Sequence, residues 1–107
     1  MKKFKLSEAG DRGWFIGAFE KSVHHTTDCE VSYQINRKGE ISAEHYHKVA
    51  TEITLVIRGR LHVGGFVFSD GDIFVLEPNE VSSVEYLEDT ESVVVKTPGP
   101  LNDKYLI

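Results

Sequence analysis

Two histidines and a glutamate within one short segment, His45, His47 and Glu52, are the residues of this chain best placed to do chemistry. Side chains two apart on a strand leave the same face, so a strand here projects His45 and His47 side by side. Glu52 follows a short connection and opens the next extended run, which can return its carboxylate beside both rings. Two imidazoles and one carboxylate form a facial donor set for a divalent transition metal, with positions open to water and substrate. Fe, Mn, Ni, Co and Zn all accept such donors, so the residue types leave the metal unidentified. A carboxylate isolated inside a barrel is costly to desolvate, and a bound cation would offset that cost. The competing reading is two solvated imidazoles on an exposed face.

The elements that must position these residues read as short strands. Runs rich in Val, Ile, Phe, Tyr and Thr are punctuated by Gly, Asn, Asp and Pro about every ten residues, the pattern of a sandwich or barrel. Strands are predicted at 14–21, 30–36, 41–47, 52–57, 60–63, 66–69, 72–76, 83–87 and 92–97. Gly64-Gly65 reads as a two-residue hairpin turn, and Ser69-Asp70-Gly71-Asp72 as a second tight turn. No window carries a sustained helical apolar period. The segment from Thr97 to Asp103, with Pro98, Gly99 and Pro100, breaks the last strand. Residues 104–107 can then pack as an additional extended segment, across a partner subunit being one arrangement. So many short strands need protected edges, and closure into a barrel or jelly roll supplies them.

At 107 residues the chain is expected to be one domain, 1–107, able to bury a core without staples. Its 40% apolar and 27% charged content is globular rather than disordered. A net charge of −5 with no basic cluster argues against nucleic acid and anionic membranes as partners. Cys29 is the only cysteine, which excludes an internal disulfide and a cysteine zinc site and fits a reducing cytoplasm. No long apolar run is present, and the basic start lacks the apolar stretch of a signal peptide. The expectation is a soluble cytoplasmic protein.

The segment from Gly39 to Gly59 resembles the first motif of the cupin superfamily: Gly, five residues, His-x-His, three or four residues, Glu, six residues, Gly. Gly39, His45, His47, Glu52 and Gly59 occupy every fixed position with allowed spacing. The second cupin motif is partial. Gly71 and Pro78 match, whereas Glu80, Ser83 and Leu87 stand where Gly, His and Asn belong. The resemblance covers about residues 30–97 and implies an all-β double-stranded β-helix, a jelly-roll barrel with a small-molecule pocket. It also implies a metal held by His45, His47 and Glu52, in a family whose third histidine is usually a ligand. Ser83 leaves three arrangements: these ligands with more water, Glu85 as a substitute, or a metal-free pocket in which both histidines bind a ligand.

Tyr33 shares strand parity with Cys29, Val31 and Ile35 and could offer a phenol to the interior, or be a core or rim aromatic. Glu85 and Tyr33 are the two candidates for a catalytic acid or base. His62 is expected to be exposed, His24 and His25 to lie in a polar loop, and Cys29 to be a small buried apolar residue. Trp14, Phe15, Phe19, Phe66, Phe68 and Phe74 are expected at core or dimer contacts. The resemblance implies either a metal-dependent enzyme on a polar metabolite such as a sugar or organic acid, or a binding and sensing module without turnover. Fold alone does not choose between them. It also implies a homodimer.

Overall fold

β-branched and aromatic runs settle into strands where neighbours complete their hydrogen bonds, and ten do so among the described residues. In the computed structural model, which describes residues 1–99 and 103–107, they are β1 Trp14–Ile16, β2 Glu30–Asn36, β3 His45–His47, β4 Thr51–Arg58 and β5 Arg60–Val63. β6 Phe66–Ser69, β7 Ile73–Leu76, β8 Glu85–Tyr86, β9 Thr90–Thr97 and β10 Lys104–Leu106 complete the set. No helix occurs among the described residues, so none there is long and apolar enough to cross a membrane. Pro100, part of the expected break after the last long strand, lies outside the described residues.

One layer is a sheet in the order β1-β2-β9-β4-β7, antiparallel throughout. The other contains β6-β5-β8 and β10-β3, joined by bridges from Ile41 to Glu85 and from His45 to Ser82. Val56 and Phe74 from the first layer meet Leu61 and Val63 from the second, with Phe68, Leu76, Val84 and Tyr86 around them. Burial of each such aliphatic or aromatic side chain contributes about 1.5–3 kcal/mol.

The strands at 30–36, 60–63 and 66–69 form with their predicted bounds. At Gly64-Gly65, φ angles of 60° and 81° are the left-handed pair that a tight hairpin needs. Gly59 is confined for another reason. A Cβ there would lie 2.6 Å from the Asp89 carbonyl oxygen, so only glycine permits the close pass at which β4 leaves β9. The strand expected at 14–21 stops at Ile16, because Ser22 Oγ accepts from the Gly17 N–H at 3.0 Å and donates to the His24 carbonyl at 2.7 Å. That local bonding turns the chain into a loop. The strand expected at 41–47 is regular only over β3, with Ile41 making a single bridge.

Candidate metal centre

β3 presents His45 and His47, and the start of β4 presents Glu52. One donor atom from each lies within 4.8 Å of the others, the set that the spacing predicts. The rings stand edge to face, with centroids 5.4 Å apart. His45 Nδ1 is 3.0 Å from the Ala43 carbonyl oxygen, which places its proton there and leaves Nε2 a lone pair. His47 is only 5% exposed, with Nδ1 3.6 Å from Glu52 Oε2. Its Nε2 is buried with no hydrogen-bond partner among the described residues. Leaving such an atom unmatched costs about 1–3 kcal/mol. The orphaned nitrogen, the oriented His45 and the nearby carboxylate fit a divalent cation. Burial holds the His47 imidazole below its usual pKa against the pull of Glu52, and Lys96 and His45 push the same way as burial. The neutral ring is the form that ligates metal.

Other segments fasten this hairpin. β10 pairs with β3 in register, Lys104 opposite His47, Tyr105 opposite Tyr46 and Leu106 opposite His45. Tyr105 stacks on Tyr46 at 5.3 Å, and Lys48 Nζ lies 4.5 Å from the Tyr105 ring centre. The Asp103 carboxylate accepts from the backbone N–H groups of Lys48, Val49 and Ala50 at 2.9 to 3.3 Å. Those residues form the connection between His47 and Glu52. Across the hairpin, the Asn79 N–H donates to the His47 carbonyl at 2.6 Å.

A cavity of about 470 Å³ reaches His47, with Trp14, Phe19 and Lys96 among its walls. Lys96 was not among the residues singled out in the sequence, although a lysine at alternate parity to Val93 and Val95 is the signal that finds it. Tyr86 was also missed. It packs on the core, and burial first, then the Glu40 and Glu52 carboxylates, raise its phenol above the usual value.

Two expected residues are not brought to the site. Tyr33 lies on the outer face of β2, because Ser32 is the buried side of that strand and Ile35 is 57% exposed. Its hydroxyl donates to Glu91, whose carboxylate also takes Arg58. Glu85 pairs with His62 of β5, is exposed, and does not belong to the donor cluster among the described residues. Ser83 donates to the Ser42 carbonyl at 2.6 Å, while its neighbour Ser82 bridges to His45. His62 is half-buried rather than exposed, as is Cys29 rather than fully buried, with Gly99 against the Cys29 backbone. Phe74 is in the core as expected, whereas Phe66 is 69% exposed.

No protein-family model matches the chain, and no curated protein matches its sequence. Solved structures do. An uncharacterised protein with a double-stranded β-helix domain from Klebsiella pneumoniae is 23% identical, with 98% of this chain and 90% of that one covered at a TM-score of 0.71. KdgF from Halomonas sp. is 24% identical over 73% of this chain and 77% of that one, with a TM-score of 0.64. An oxalate decarboxylase variant from B. subtilis is 20% identical, with 97% of this chain but 32% of that enzyme covered, at a TM-score of 0.73. At such identities the likeness is one of fold: the chain folds as the double-stranded β-helix of cupin structures.

Proposed function

We propose that this protein is a small metal-binding cupin that acts on a small polar metabolite, with His45, His47 and Glu52 as the ligands of a divalent transition metal. The observation that carries the reading is His47 Nε2, buried, without a partner among the described residues, on a residue that lines a cavity large enough for a metabolite. A metal there supplies Lewis-acid polarisation of an oxygen ligand. The chain supplies the chamber: Trp14 and Phe19 give it apolar walls, and Lys96 gives it a charge. The single cysteine fits work in a reducing cytoplasm. We further propose that the protein works as a homodimer.

Metal content of tag-free protein purified near neutral pH tests the reading, with the His45→Ala/His47→Ala variant beside it. Near-stoichiometric metal in the wild type, lost in the variant, is expected. Wild-type protein that is empty and takes up no added Mn²⁺, Fe²⁺, Co²⁺, Ni²⁺ or Zn²⁺ would overturn it. A second reading, a metal-free pocket that binds without turnover, has one observation in its favour. The Glu52 carboxylate lies 3.6 Å from His47 Nδ1, near enough to orient the ring without a metal.

A further inference from the structure

The geometry points to a small organic acid, rather than a neutral sugar, as the ligand of the cavity beside His47, with its carboxylate held by Lys96. The inference rests on the reading that this cavity is the ligand chamber of the site, and it narrows the ligand class.

Lys96 of β9 is paired in register with Glu52 of β4 on one side and Glu30 of β2 on the other, so all three leave the inner face of the sheet. Despite this placement, Lys96 makes no ion pair within 4.0 Å among the described residues. Its ammonium lies over the Trp14 ring, 4.8 Å from the centre. A cation–π contact of this kind holds the ammonium in place without neutralising it. An inward, half-buried lysine kept on an aromatic face leaves its charge available to a ligand.

Three other charges of the lining are committed locally. Asp103 is satisfied by three backbone N–H groups and precedes Lys104, and Asp11 lies 3.6 Å from Arg12. Glu52 belongs to the donor set. The acidic lining residues Asp11, Glu30 and Asp103 equal in number the basic Arg12, Lys96 and Lys104, so a divalent cation held by Glu52 would leave one surplus positive charge. The chamber therefore favours a monoanion, which meets both the cation and Lys96. A neutral polyol would leave the ammonium without a charged partner in a partly desolvated place. A volume of about 470 Å³ accommodates molecules up to a sugar acid.

The test measures binding of glycolate, L-lactate and D-glucuronate against ethylene glycol, propane-1,2-diol and D-glucose. It uses Mn²⁺-loaded full-length protein, calorimetry and the paramagnetic broadening of ligand proton signals. At least one acid is expected to bind about tenfold more tightly than its neutral counterpart, with the advantage shrinking as salt rises. Lys96→Met should lose about tenfold in acid affinity with Mn²⁺ uptake unchanged, and Lys96→Arg should recover most of it. Equal affinity for acids and neutral polyols, failure of all three acids to bind Mn²⁺-loaded protein, or unaltered acid binding by Lys96→Met would each overturn the inference. Mn²⁺ uptake, scored separately, distinguishes the two readings. Protein that takes no metal yet prefers an acid through Lys96 removes the metal and leaves the ligand class standing.

Discussion

His47 is pulled in two directions, since burial disfavours its charged form while Glu52 favours it, and burial prevails. The folded-state pKa is therefore depressed, and on acidification the unfolded chain takes this proton first. The resulting stability is complete above the unfolded value, about 6.5, and is lost as pH falls from there through the lower folded value. Thermal unfolding of metal-free protein should show this loss, and His47→Gln should flatten the slope over that interval. Parallel slopes for the two proteins would contradict the assignment. Mn²⁺ affinity should weaken over the same pH range, because protons compete for the ligands. The cluster of His45, His47 and Glu52 was legible in the sequence because two-residue strand spacing and motif register both point to it. Tyr33 and Glu85 were misplaced for a physical reason. Parity arguments take the apolar side of a strand as the interior, yet on β2 the interior side carries Ser32 and the outer side Val31, Tyr33 and Ile35. In the segment leading to β8, Ser82 rather than Ser83 meets His45, and it is Tyr86 rather than Glu85 that packs on the core.

Among the elements, β10 does the most for the site relative to its length. An extended segment at 104–107 was legible, but its partner was not, because a three-residue strand carries too little pattern to select β3 over another edge. The choice is specified by Asp103, whose carboxylate closes on the Lys48–Ala50 backbone. Burial raises the Asp103 pKa, but the N–H groups of Ala50, Val49 and Lys48, with His47, outweigh it and hold the carboxyl below its usual range. The latch therefore persists at mildly acidic pH, so the acid sensitivity ascribed to His47 does not come from it. Asp103→Asn keeps the shape and removes the charge. It should lower stability by about 1–2 kcal/mol, the scale of charge-assisted hydrogen bonds, and weaken Mn²⁺ binding about tenfold by loosening the turn between two ligands. Calorimetric titration with Mn²⁺ and thermal melts check both. Lower stability with unchanged Mn²⁺ affinity would show that the latch serves the fold and not the site.

At the scale of the whole molecule, the five-stranded sheet is inverted relative to ordinary alternation: its outer face is apolar and much of its inner face polar. Cross-strand register aligns Tyr33, Val93, Leu55 and Ile73 in one outer row and Val31, Val95, Ile53 and Val75 in the next. Ile73 is 59% exposed and Val75 46%. Soluble monomers rarely leave more than a few hundred Å² of contiguous apolar surface in water, so this face calls for a cover. A second copy fits it best. The two rows carry no charged residue, and Arg58 and Glu91 at the ends of β4 and β9 are paired with each other. A smooth sheet stacks on its own copy about 10 Å away, across a twofold axis, without any complementary partner having to be supplied. At one end the inner polar face, with Glu30 and Lys96, walls the cavity beside His47, and the apolar parity that misled the reading of Tyr33 fits a covered outer face. Light scattering after gel filtration should give twice the chain mass at micromolar concentration, and Leu55→Lys should give a folded monomer. That variant should retain Mn²⁺ uptake, since Leu55 and the donor set lie on opposite faces of the sheet. A wild type that is monomeric at about 100 μM, well above the dissociation constants of stable dimers, would refute the homodimer and assign the face to a different partner.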